Sequence, residues 1–145
     1  MALRQEDYEL LMRLEKVFED PFSPLPLGPR PMSWTRKIMS PRGNERFFLD
    51  YFASGIRFSR YTFNHRYRQT VVLLRYDNDG RHTNPDGQTL TGPHVHLYRE
   101  GFDDKFAFPM TEIGVAMDDT PDRVVAKIMH FCAITSYPEI QISRK

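Results

Sequence analysis

Two imidazoles one residue apart, in Gly92-Pro93-His94-Val95-His96-Leu97-Tyr98-Arg99, are the sharpest chemical feature of this 145-residue chain. Side chains alternate on a strand, so His94, His96 and Tyr98 share one face while Val95 and Leu97 take the other, toward the core. The two rings then stand on Cα atoms roughly 6.5–7 Å apart. Imidazole titrates near neutral pH, so one ring can accept a proton while its neighbour donates one, with Tyr98 and Arg75 orienting a phosphate. Such an acid/base pair needs no cofactor. Alternatively, a strand His-x-His offers two nitrogens to a metal ion, and His82, Asp77 or Asp79 is available as the third protein ligand of a catalytic zinc. The alternative ligand set is His82, His94 and His96.

Charge gives the second signal. The whole chain carries only +1, yet residues 30–75 hold ten Lys and Arg against two acids, Glu45 and Asp50, a net +8 between two acidic flanks. Guanidinium groups grip phosphate bidentately, and Arg57, Arg60, Arg66 and Arg68 are interleaved with Tyr61 and Tyr67, rings able to stack on bases. RNA or another nucleic acid is therefore the expected partner, and docking to an acidic protein is the other use of such a block. The remaining reactive types read as structural. Asp77-Asn78-Asp79-Gly80 opens like a calcium loop but lacks the closing Glu, so these are expected to form turns. Cys132 falls on an apolar helix face, His130 on the opposite one, and Ser33 and Ser59 have no base nearby in sequence.

These residues need a sheet to hold them. Arg46–Ala53, Gly55–Phe63 and Arg66–Tyr76 alternate as three strands, with a turn at Ser54-Gly55. His94–Arg99 and Lys105–Pro109 add two more, and Asn78–Gly92 reads as an ordered loop. Apolar residues at helical spacing predict a helix over 5–18. Five prolines between Pro21 and Pro31 make 21–41 an extended connector. Thr120-Pro121-Asp122 opens a helix over 121–136, with Thr120 as the cap, and the tail after it is an expected edge strand. The expected fold is α+β: a single domain, 1–145, with an antiparallel sheet of about five strands in 46–109 and a helix from each end packed on it. One cysteine excludes an intrachain disulfide, the polar start lacks a signal-peptide core, and no run reaches membrane-span length. A cytoplasmic protein without membrane attachment is expected.

The segments Arg75-Tyr76-Asp77-Asn78-Asp79-Gly80-Arg81-His82-Thr83-Asn84-Pro85-Asp86-Gly87, Gly92 to Gly101 and Asp104-Lys105-Phe106-Ala107-Phe108-Pro109 resemble an uncharacterised family of small bacterial and phage proteins, over about residues 45–140. That resemblance implies a mobile-element or prophage setting and no activity. More loosely, the chain is similar to TumE-type toxins of toxin–antitoxin modules, in which histidines are doubled where this chain has Arg81-His82 and His94-Val95-His96. The likeness implies a ribonuclease with a helix-turn-helix antitoxin as partner. The function expected is thus a ribonuclease-like toxin, independent of metal, using His94 and His96. Its alternative is a non-catalytic, phage-type anti-defence inhibitor that docks on a bacterial immune complex.

Overall fold

The computed structural model describes residues 3–28, 31–54 and 60–143. Arg57, the turn at Ser54-Gly55 and the first half of the expected second strand lie wholly or partly outside them. Helix α1 (Gln5–Arg13) leads into strand β1 (Lys16–Phe18). The helix is therefore five residues shorter than the sequence predicts. Leu14 turns to extended geometry, and the Lys16 ammonium bends back to the carbonyls of Leu11, Met12 and Leu14, satisfying acceptors that a continued helix would have used.

The proline-rich stretch is not merely a connector. It contains β2 (Leu25–Leu27) and the long strand β3 (Met32–Met39), which begins immediately after Pro31, the last proline of the run. Next come β4 (Arg46–Ala53), β5 (Tyr61–Tyr67) and β6 (Val71–Asp77). The turn between β5 and β6 falls at Arg68–Thr70, later than expected, because Arg68 adopts a left-handed φ of 54° without any Gly or Asn to announce it. The expected loop over 78–92 holds a small hairpin, β7 (Arg81–Thr83) and β8 (Thr89–Thr91). Strands β9 (His94–Leu97) and β10 (Ala107–Pro109), a single 3-10 turn at Met110–Ile113 and helix α2 (Pro121–Phe131) follow. Pro121 takes the first helical position as expected, but the Thr120 hydroxyl donates to the Asp122 carboxylate rather than capping an amide. The helix stops at Phe131. Ala133 takes a left-handed φ of 60°, and Ile134–Ser136 becomes β11.

Among the described residues the main sheet has eight strands, not about five, in the order β10-β9-β6-β5-β4-β3-β1-β11. All neighbours are antiparallel except β1 and β11. The tail strand β12 (Ile140–Ile142) pairs in parallel with β2 as a separate two-stranded ribbon. One face of the sheet is core: Phe47, Leu49, Tyr51, Phe63, Leu74, Tyr76 and Val95 pack with Leu11 and Met12 of α1 and with Val125, Ile128 and Met129 of α2. The opposite face is polar. Among the described residues no helix is long and apolar enough to cross a membrane.

Candidate functional site

Strand register builds the site. Antiparallel pairing of β6 with β9 sets Asp77 opposite His94 and Arg75 opposite His96, so all four side chains project from the polar face. The same rows continue across the sheet: His94–Asp77–Thr62–Phe52 is one, His96–Arg75–Asn64–Asp50 the next. Sequence alternation thus places the histidine face correctly, but that face is not open. His94 and His96 are 3% and 2% exposed, because the β7–β8 hairpin closes over them.

Asn84, in the hairpin turn, fastens that cover. Its Nδ2 donates to the Ala107 carbonyl at 2.9 Å, and its Oδ1 accepts the Ala107 amide at 2.8 Å. His82 on β7 donates from Nε2 to the Lys105 carbonyl at 2.7 Å, and its ring meets His96 edge-on at 4.5 Å between centroids. Gly80 brings the chain onto the sheet with φ of 125°. A Cβ there would lie 3.2 Å from Arg60 Nη2 and 3.9 Å from His94 Cε1, so the Arg60 guanidinium and the His94 ring both lie close to Gly80.

Each buried imidazole is held by its Nδ1. His94 Nδ1 lies 2.8 Å from the Gly92 carbonyl, and His96 Nδ1 lies 2.8 Å from the Asp104 carbonyl. A carbonyl only accepts, so both Nδ1 atoms carry hydrogen, and in the neutral rings both Nε2 atoms present lone pairs. Those lone pairs face Asp77 Oδ2, which is 3.6 Å from each. Among the described residues His96 Nε2 has no hydrogen-bond partner. Burial, with the Arg75 guanidinium adding to it, pulls His96 down to about 4, so its ring is neutral at pH 7. Asp77 is positioned from two sides: the Thr62 hydroxyl donates to Oδ1 at 2.7 Å, and Arg75 Nε donates to Oδ2 at 3.2 Å. Asp77, read from sequence both as a turn former and as one of three candidate third ligands, is the last residue of β6 and the carboxylate of the cluster. Asp79 remains a turn former, accepting the Gly80 amide at 2.8 Å.

Other expected site residues are elsewhere. Tyr98 lies beyond the end of β9; its hydroxyl donates to the Leu3 carbonyl and its ring tilts against Tyr8 at 5.6 Å, within the core. Tyr61 and Tyr67 project from the core face, Tyr61 into a cluster with Tyr51 and Phe63, Tyr67 with its hydroxyl on Glu45. Arg68 is exposed in the β5–β6 turn, 5.0 Å over the Tyr67 ring. Arg66 is on the polar face, bidentate to Asp50 at 2.7 and 2.9 Å, with its guanidinium 4.7 Å from the Phe48 ring centre. Burial opposes ionisation of Asp50, but hydrogen bonds from Arg66, Thr35 and Asn64 hold its carboxyl below the usual range.

Two aromatic residues of the polar face went unrecognised in the sequence, Phe48 and Phe52, the latter 54% exposed. The signal was present as parity: Phe47, Leu49 and Tyr51 point inward, so their alternates on β4 must point out.

Residues 3–134 match one family across most of the chain. The chain belongs to the DUF6978 family, a family of unknown function. Nothing among curated proteins or solved structures matches it.

Proposed function

We propose that the protein is a ribonuclease-like enzyme whose reacting centre is the His94, His96 and Asp77 cluster, with single-stranded RNA lying across the polar face of the sheet. One observation carries this reading: exposed Phe52 stands in the same cross-strand row as His94 and Asp77, three strands from His94, roughly 14 Å. A strand of two or three nucleotides spans that distance, with bases stacked on Phe52 and on the Arg66–Phe48 pair.

Cleavage of RNA by its own 2′-hydroxyl forms a bond from O2′ to phosphorus and breaks the bond from phosphorus to O5′. The O2′ proton is removed, a proton is delivered to the departing O5′, and a 2′,3′-cyclic phosphate remains. Negative charge gathers on the non-bridging oxygens, and Arg60 and Arg75 flank the place where it does so. Of the three imidazoles His82 is the only one with appreciable exposure, so substrate approaches past it, with His94 and His96 behind.

The test is incubation of purified protein with labelled single-stranded RNA and with DNA of the same sequence. Cutting of RNA only, lost in His94→Ala and His96→Ala and reduced about a hundredfold in Arg75→Ala, is the expected result. Intact RNA in the presence of the wild-type protein overturns the reading.

A further inference from the structure

We propose that Asp77, His94 and His96 form a binding site for a divalent first-row transition-metal ion of the zinc class. One donor atom from each lies within 4.8 Å of the others. The two Nε2 to Oδ2 separations of 3.6 Å match what a tetrahedral ion requires, since ligands about 2.1 Å from a common metal stand roughly 3.4 Å apart.

The stronger evidence is the direction of the lone pairs. Two Nε2 acceptors and a carboxylate oxygen converge, and three acceptors do not hold one another together. Arg75 gives Asp77 a cationic partner, but no described residue gives His96 Nε2 one, although that ring is almost wholly buried. An unpaired acceptor in such a place costs on the order of 1–3 kcal/mol. A metal ion supplies the missing acceptor-to-cation contacts at once. Both Nδ1 atoms are committed to the Gly92 and Asp104 carbonyls, which turns each Nε2 toward the shared site and supplies the outer contacts that orient metal-ligating histidines generally.

Two nitrogens and one oxygen suit zinc and its neighbours and disfavour magnesium and calcium, which take oxygen ligands. Three protein ligands leave a position for water or a phosphate oxygen, the arrangement of catalytic rather than structural zinc. Asp77 replaces His82 in the ligand set read from sequence, and His82 Nε2 is engaged by the Lys105 carbonyl.

Where the metal acts on RNA, this inference rests on the proposed function; the binding site itself does not. The experiment is zinc titration of the chelator-treated full chain by competition with a chromophoric chelator, with magnesium as control and cobalt as a spectroscopic probe. One equivalent of zinc, no competition from millimolar magnesium, and a tetrahedral cobalt absorption band are expected. Asp77→Asn keeps an acceptor for Thr62 and should weaken zinc about a hundredfold, as should His94→Ala, while His82→Ala keeps the stoichiometry at one. Circular dichroism of each apo variant separates ligand loss from misfolding. Less than about a tenth of an equivalent in the wild type, or equal affinity in well-folded Asp77→Asn, overturns the site. RNA cut at full rate by chelator-treated protein overturns the metal's part in the reaction and leaves the ribonuclease standing. Zinc bound at one equivalent without any RNA cleavage does the reverse.

Discussion

The Asn84 carboxamide pairs with the Ala107 main chain as a neighbouring strand would, donating to its carbonyl and accepting from its amide. Through this pair one buried side chain fixes the β7–β8 hairpin over His94 and His96. Asn84→Ala removes two buried hydrogen bonds and leaves the Ala107 groups unpaired, a loss of about 2–3 kcal/mol. Urea unfolding should show that loss, and amide exchange should show faster opening confined mainly to residues 81–91 and 107. Unchanged exchange over the hairpin would mean that Asn84 is not its fastening.

Legibility of the fold followed the strength of local signals. The histidine strand and β4 were readable from alternation, and α2 from its proline start and apolar stripe. The β5–β6 turn was not, since Arg68-Gln69-Thr70 contains no residue that favours a left-handed φ, and tertiary pairing imposes one on Arg68. Strands β1, β2 and β11 have three residues each, too few for periodicity to register, and exist because neighbours pair with them, whereas the expected tail strand is present as β12. The site was legible in part. His94 and His96 stood out by type, whereas Asp77 was one of three candidates for a third ligand, beside His82 and Asp79, and the choice among them depends on which strand lies beside β9. Tyr61 and Tyr67 attracted attention through proximity to arginines in sequence, yet strand parity sends them into the core.

Lys16 offers a test of what joins the two helices. Its ammonium, fully buried, donates to the carbonyls of Leu11 and Leu14 at the end of α1 and to that of Cys132 at the end of α2, and sits 4.9 Å from the Phe47 ring centre. Lys16→Met fills similar space but leaves those carbonyls with no donor. A loss of about 3 kcal/mol in urea unfolding is expected, with the imidazole cluster on the opposite face unaffected. A change below 1 kcal/mol would show that solvent or a shifted backbone replaces the ammonium.

His65 sets a pH dependence. The ring is wholly buried against Phe47, and burial, then the Lys16 charge, hold it down to about 3. In the unfolded chain it titrates near 6.5. Between those values only the unfolded chain takes up the proton, so full stability is present above pH 6.5 and falls as pH drops toward 3, by about 1.4 kcal/mol per unit. At pH 4.5 His65→Leu should therefore have lost about 2.5 kcal/mol less than the wild type, relative to each protein at pH 7.5. His96, also depressed, contributes a slope of the same sign that the variant retains. Parallel pH profiles for the two proteins would contradict a neutral buried His65.

The polar face makes its own demand on RNA binding, separable from cleavage. Phe52 is half exposed in the row that ends at His94, and Phe48 lies beneath the Arg66 guanidinium, so neither ring is needed to fill the core. Stacking contributes about 1–3 kcal/mol per base, so Phe52→Ala and Phe48→Ala should each weaken single-stranded RNA about tenfold or more. Phe52→Ala should change stability by less than 1 kcal/mol, as expected for a surface substitution. Tyr61→Phe is the control, because that ring belongs to the core face and cannot meet RNA on the other. Fluorescence anisotropy with a labelled RNA, under conditions that block cleavage, distinguishes the cases. Wild-type affinity in both phenylalanine variants would remove the polar face as the RNA track, since Phe52 is the aromatic ring of the His94 row and Phe48 the one that pairs with Arg66 on the same face.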